Sequence, residues 1–331
     1  GLNVVVGWGG LLDLGYIAFY GVGAYSYALL SSDHYGIHLP TIALIPLIVV
    51  IGAGVGFLLG LPSRRLTGDY LAIVTLFFLQ LFLTVTTNGD DLFGHDLSGG
   101  ANGLLNVDPL SFFGHALPVS TDGIFNVAYL YVVLAVFPVV YVALRFVNHS
   151  RTGRAWRSLR EDPLAAEVMG MPVNWLKLMS FAFGAAIAAL TGTFVAALNA
   201  SVFPLSFSFP LLITIYTMVI LGGAGSQAGV VVGAVLIGVL LELLRDPGDS
   251  RVLFYTVIVL GLLAAFRFSV RLAAVLAGTL VFGLIVHSIA GAIDNAWVDG
   301  SSGAGGGVGD SVANWVVVPT DLAAWVAPVS Y

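Results

Sequence analysis

Apolar residues run along this chain in long unbroken blocks, not in alternation with polar ones. Blocks at Tyr16–Ser31, Pro40–Leu61, Tyr70–Thr87, Val127–Phe146, Leu178–Ala200, Leu211–Leu221, Gly229–Leu244, Val252–Phe266 and Leu272–Ile293 predict helices. A spanning helix needs roughly 20 predominantly apolar residues, so the shorter blocks read as partial or broken spans. Continuous runs argue against a barrel, whose strands alternate with a period of two. Ahead of the first block, Gly1–Leu14 is apolar but interrupted by Gly7, Gly9 and Gly10. That pattern predicts the tail of a helix followed by a re-entrant turn. Non-helical backbone survives at membrane depth only where protein or a water-filled cavity covers it.

Composition supports the same class. Only 9% of the 331 residues are charged and mean hydropathy is +0.99, against roughly a quarter charged in soluble domains. So few charges cannot clothe a water-facing surface. The expected fold is an all-α polytopic transmembrane bundle of about eight to ten spans or partial spans. The absence of cysteine excludes disulfides and thiolate chemistry. The net charge of −6, with few and clustered basic residues, excludes a nucleic-acid footprint. The chain opens at Gly1 without a basic n-region, so no signal peptide is read.

Loop charges predict orientation. Arg64 and Arg65 follow the second block, and the Arg145–Lys177 region follows the fourth; both read as cytoplasmic. Asn88–Asn126 carries five aspartates and no Lys or Arg, so this outer loop, 88–126, reads as extracytoplasmic. Alternation holds through the fifth block. Beyond it, Arg245 with Arg251 and Arg267 with Arg271 do not fit on one side.

Small residues recur every four positions at Gly52, Gly56, Gly60, at Gly184, Ala188, Gly192, Ala196, and at Gly225, Gly229, Gly233. Such stripes let backbones approach in lipid, as a tight bundle or as an interface between subunits; the bundle is the expectation. Ser301–Asp310 is a Gly-rich linker, and Trp315, Pro319, Trp325 and Pro328 predict an interfacial tail, not a straight span. The expected organisation is a transmembrane domain over 1–293, with a cytoplasmic loop at 147–177, and a linker and tail over 294–331.

The most informative stretch is Gly153–Lys177. With Arg151 just before it, it holds five of the chain's twelve basic residues. Asp162 is a good N-cap, Pro163 suits the first helical position and Gly170 a helix stop. Between them Leu164, Ala165, Val168 and Met169 form one apolar face of a helix of about two turns. A helix so short is marginal alone and should dock onto something. Arg157 and Arg160 flank it, ready to pair with acidic groups on a partner or with lipid phosphate.

This segment resembles the EAA-type coupling loop of ABC-importer permeases. Ala165-Ala166-x-x-x-Gly170 retains the core of that pattern, with Leu164 in place of its leading Glu and Glu161 earlier. The chain is similar more specifically to branched-chain amino-acid (Liv-type) permease subunits. The stretches Gly1–Leu30, Leu66–Leu76 (LTGDYLAIVTL), Ser98–Leu105 (SGGANGLL) and Met218–Gly233 (MVILGGAGSQAGVVVG) carry the match in the family's order. The resemblance thins beyond Asp246 and implies a further helix before Gly1.

It implies an ABC-importer permease fold in a cytoplasmic (plasma or inner) membrane and a division of labour. An extracytoplasmic solute-binding protein delivers cargo. This chain forms the path with a second related permease subunit or a second copy of itself. Two cytoplasmic ATPase subunits, which carry ATP and Mg, drive alternating access. The implied coupling residues are Arg157, Arg160, Asp162, Ala165, Ala166, Glu167 and Gly170. The chain has no GxxxxGK[ST] loop and is expected to be a transport subunit, not an enzyme, binding no cofactor or metal itself. The implied cargo is branched-chain or other hydrophobic amino acids, with urea or short amides as the alternative.

Polar candidates along the path are Asn3, Asp13, Tyr16, Tyr70, Gln80 and Tyr216. A membrane-embedded acid is a functional hypothesis by default, yet Asp13 also suits a helix cap. An ion-coupled secondary transporter would want a midplane charged pair, which the sequence does not show. His34 and His38 have helical metal spacing, but Gly36 and Pro40 oppose a helix there. A membrane enzyme would want clustered acids or histidines at one face. Asp90-Asp91 is not repeated, so a prenyl-transfer activity has little support.

Overall fold

Long blocks of Leu, Val, Ile and Ala fold as helices because lipid leaves every backbone polar group to be satisfied within its own segment. The computed structural model describes residues 1–63, 66, 68–91, 96–112, 115–117, 127–245 and 285. Apart from Ile285, the predicted helices Val252–Phe266 and Leu272–Ile293 lie outside the described residues, as do the tail 294–331 and the pair Arg64 and Arg65. The chain divides into two units, Gly1–Val235 and Leu236–Tyr331. The first holds the packed helical core.

A π-helical stretch, Asn3–Trp8, opens the chain. Helices α1 (Tyr16–Leu30), α2 (Thr41–Ser63), α3 (Asp69–Thr87) and α4 (Val127–His149) come next. Then come α5 (Arg151–Glu161), α6 (Pro163–Val168), α7 (Val173–Asn199), α8 (Phe209–Gly222) and α9 (Gln227–Arg245). Among the described residues five helical segments are long and apolar enough to cross a membrane: α2, α3, α4, α7 and Pro204–Gly222, which ends in α8. At 15 residues α1 is about 22 Å long, short of a hydrocarbon core of about 30 Å, and is a partial span. The predicted helix bounds agree within three residues except at α7. That helix begins at Val173, not Leu178, because Pro172 sets the entry and the polar first turn (Asn174, Lys177) disguises helix as loop.

The core is built on α7. Ala185, Ala188, Ala189, Ala196 and Ala197 are buried on it, against α1 on one side and α2 on the other. A Cβ at Gly192 would strike the Tyr20 carbonyl of α1, and one at Gly56 would sit 2.5 Å from Ala185 Cβ and 2.7 Å from the Phe181 carbonyl. Likewise, a Cβ at Gly229 or Gly233 of α9 would meet the backbone of α8 at Gly222 or Met218. The small-residue stripes therefore serve close packing within this chain.

Loops segregate to two ends. At one end, three two-stranded ribbons gather: β1 (Ser31–Ser32) with β2 (Ile37–His38), β3 (Leu104–Leu105) with β6 (Ser201–Val202), and β4 (Ser111–Phe112) with β5 (His115–Ala116). The connections after α1, α3 and α7 thus meet, as the predicted outer side requires. His38 Nδ1 lies 2.6 Å from Asp108 Oδ2, and its Nε2 3.5 Å from Asp33. The hydrogen bond to Asp108 and that residue's charge raise the imidazole above its ordinary 6.5. A raised folded value means the contact contributes fully below pH 6.5 and fades as pH rises through that higher value. The protection factors of the β1–β2 ribbon amides, which divide out base-catalysed intrinsic exchange, are expected to fall from pH 6 to pH 8.5, and His38→Asn should abolish that fall. An unchanged dependence in the variant would assign it to another group.

Candidate functional site

The end opposite the ribbons carries the basic segment. Ser150 caps α5, its hydroxyl accepting from Gly153 N at 3.3 Å. Gly153, Trp156 and Leu159 recur every three residues and are buried, while the arginines between them stay wet. Trp156 stacks on Trp8 with ring centroids 6.4 Å apart and donates its indole N–H to the Leu176 carbonyl at 2.9 Å. Val4, Trp8, Trp156, Leu159, Ala166, Val173 and Leu176 form a separate small core under this end.

Helix α6 is defined at both ends by side-chain and backbone chemistry. Asp162 Oδ1 accepts from the amides of Leu164 (2.9 Å) and Ala165 (3.0 Å), and Pro163 occupies the first turn. At the other end Gly170 N donates to Glu167 O (2.9 Å) and Met171 N to Ala166 O (3.0 Å), a Schellman closure. That closure needs the left-handed backbone of Gly170, whose φ is +81°. Ala166 is the buried contact of α6. Leu164, Val168 and Met169 are 74%, 87% and 80% exposed; Ala165 and Glu167 are also exposed. The predicted apolar face exists and is uncovered among the described residues.

The arginines do not stand where expected. Arg160 Nη1 donates to the Gly7 carbonyl at 2.6 Å and to that of Ala224 at 3.4 Å, and Arg157 Nη2 to the Asn148 carbonyl at 3.1 Å. Arg154 likewise bonds the His149 carbonyl (2.8 Å) and Lys177 the Leu66 carbonyl (3.3 Å). Each acceptor lies at or just beyond the C-terminal end of a helical segment. There carbonyls lack intrahelical donors and partial negative charge accumulates. The guanidinium groups of Arg157 and Arg160 thus bond carbonyls within the chain while both residues remain exposed.

A cavity of about 280 Å³ opens among the π-helical stretch, α1, α7, α8 and α9. Leu2, Leu211, Ile215, Met218, Val219 and Val230 give it apolar walls, and Asn3, Tyr16, Tyr20 and Thr191 its polar points. Of the predicted path residues, Asn3 and Tyr16 line it. Asp13 and Tyr216 support its neighbourhood: Tyr216 donates its hydroxyl to the Asp13 carbonyl at 2.6 Å, and Asp13 Oδ1 accepts from Gly15 N, the residue capping α1, at 2.9 Å. With Leu14 N donating to Thr75 Oγ1 at 2.9 Å, these bonds fasten the broken backbone before α1. The structure does not bring Tyr70 or Gln80 to the cavity; both sit on exposed faces of α3, Tyr70 at 73% exposure. The sequence reading missed Tyr20, Trp8 and Trp156. An aromatic in an apolar run carries no local sign of whether it lines a cavity, and pairing across 148 positions leaves none.

Residues 1–266 match the family model described as the branched-chain amino acid transport system / permease component. The chain is 38% identical over 270 residues to the high-affinity branched-chain amino acid transport system permease protein LivM of Salmonella typhimurium, covering 76% of this chain and 62% of that protein. It is 37% identical to LivM of Escherichia coli over 272 residues, with the same coverage. With the LivH permease protein of Salmonella typhimurium it shares 27% identity over 177 residues, 54% of each chain. The chain thus spans about 62% of the length of the LivM proteins it matches. No solved structure matches it. With five membrane-length apolar helices among the described residues and a family match across most of its length, this multi-pass membrane protein belongs to the permease components of branched-chain amino acid transport systems.

Proposed function

We propose that the chain is a permease subunit of an ATP-driven ABC importer, moving branched-chain or other hydrophobic amino acids inward by alternating access. The carrying observation is α6. Apolar surface at 74–87% exposure on a doubly capped helix costs solvation unless a partner covers it. It sits at the end rich in Arg and Lys, where cytoplasmic ATPases bind. Those ATPase subunits would carry ATP and Mg, and this chain neither. Apolar cavity walls suit a branched aliphatic side chain better than urea or a short amide. The outward faces of α3 and α4, where Tyr70, Phe77, Tyr131 and Phe137 are exposed, are assigned to a second permease subunit and lipid. The outer ribbons are assigned to the solute-binding protein. Within this reading 1–293 is the permease domain and 294–331 an appended segment.

Reconstitution decides it. Proteoliposomes holding this chain, a second permease and ATPase subunits from neighbouring reading frames should accumulate L-leucine only with ATP and the binding protein. Accumulation driven by a proton or sodium gradient with no ATPase present would replace this reading by a secondary transporter.

Gly170 provides a graded check. Nothing lies within 4 Å of the Cβ it lacks, so Gly170→Leu meets only the left-handed backbone penalty, about 1–2 kcal/mol. The protein should stay folded while α6 frays, with leucine uptake falling severalfold. Gly170→Asn, a residue that tolerates positive φ, should retain most uptake. Equal losses in both would point to the glycine's size instead of its φ.

A further inference from the structure

A push received on α6 has to reach the cavity through the chain, and the route runs by Arg160. Asp162 joins α6 directly to α5, whose last turn carries this arginine. Its guanidinium holds the carbonyls of Gly7 and Ala224. Gly7 belongs to the last turn of the π-helical stretch, and Ala224 lies in the turn leaving α8. These two segments are joined to each other as well. Asn3 Oδ1 accepts from Gly225 N at 2.8 Å, and Trp8 Nε1 donates to Gly225 O at 3.1 Å. Both segments line the cavity: Leu2 and Asn3 from the first, Leu211, Ile215, Met218 and Val219 from the second. Helix α5 also rests on the break itself, since a Cβ at Gly10 would lie 3.0 Å from Arg160 Cα.

We propose that Arg160 is a positioning residue that carries displacement of α6 to the cavity, by gripping the Gly7 and Ala224 carbonyls together and so setting how the π-helical stretch stands against α8. The bond to Gly7 joins a full charge to a helix-end carbonyl at 2.6 Å, the kind of hydrogen bond that moves its acceptor with it. Beside it the Trp8–Trp156 stack keeps the two elements in register while they shift. A static clip would behave differently: its loss would lower assembly, hydrolysis and uptake together. A transmitter separates them, because the ATPases still dock on α6 and turn over while the cavity no longer follows.

This inference rests on the reading of α6 as the ATPase dock. The test is the number of L-leucine molecules taken up per ATP hydrolysed in the reconstituted complex. Arg160→Gln should co-purify with the ATPases and hydrolyse ATP, with this ratio reduced roughly tenfold, the span of an ordinary coupling free energy. Arg160→Lys, which keeps a charged donor, should fall between that variant and the parent. An assembled Arg160→Gln complex with the parent ratio, or with hydrolysis and uptake lowered in step, would overturn the proposal. If Arg160→Gln does not assemble, Trp8→Phe decides: it removes the N–H that ties the π-helical stretch to Gly225 and shrinks the ring stacked on Trp156, and an unchanged ratio there would overturn the proposal. Absence of ATP-driven uptake by the parent complex would instead remove the dock reading, and this inference with it.

Discussion

Leu164→Asp combined with Val168→Lys is expected to abolish ATP-driven uptake while leaving the permease folded. Both side chains are mostly exposed, at 74% and 87%, so neither supports the chain's own core. The new charges also suit the helix: an acid in the first turn and a base in the last favour the dipole. What changes is the face offered to a partner. Burying a leucine and a valine contributes roughly 3–6 kcal/mol together, and unpaired charges in their place add a desolvation cost. The loss exceeds about 100-fold in affinity. Co-purification with the ATPase subunits should vanish, thermal stability of the isolated permease should hold, and uptake should drop to background. Retained co-purification would show that another surface receives the ATPases.

The second large effect is expected at the cavity. Ile215 lines it from α8 beside Leu211 and Val219, and it is only half-buried, so the helix tolerates a larger side chain there. Ile215→Trp should narrow a space of about 280 Å³ and exclude a branched aliphatic side chain. Uptake of L-leucine should fall at least about tenfold, or 1.4 kcal/mol, while ATPase docking and basal hydrolysis persist. A compensating loss of selectivity is expected as well: glycine, with no side chain to exclude, should suffer less than leucine. Equal inhibition of both cargoes would mean that the tryptophan jams helix movement instead of occupying a side-chain pocket. Ile215→Val, which removes a methylene, should change uptake little and serves as the control for altered α8 packing.

Much of the architecture was legible because lipid imposes a strong rule on composition. Helices α2, α3, α4 and α8 announce themselves by apolar length, and Gly170 and Asp162 by their capping chemistry. The start of α7 did not, since Asn174 and Lys177 look like loop until Lys177 is seen bonded to the Leu66 carbonyl. The broken backbone at the start was readable from Gly7, Gly9 and Gly10, but its fastening to Thr75 and Tyr216 was not. Those bonds join positions 61 and 203 apart and leave no periodic trace. For the same reason Asn3 and Tyr16 were found among polar candidates together with Tyr70 and Gln80, which face away from the cavity. A list of polar residues in apolar runs does not say which way each helix turns. The intrachain bonds of the arginines were not legible either: charge at a membrane edge reads as an outward handle, and its bonds to helix-end carbonyls leave no local sign.

That use of charge has a bearing on how the protein is made. Lys and Arg near helix ends direct the insertion machinery to leave their loops on the cytoplasmic side. In this chain four such residues, Arg154, Arg157, Arg160 and Lys177, go on to stitch carbonyls of different helices once the bundle closes. In the proposed orientation one set of side chains is read twice, first as an address during synthesis and later as a fastening. A drifting gene that moved these cations would scramble topology and loosen the bundle in a single step, so the two properties are bound to be inherited together.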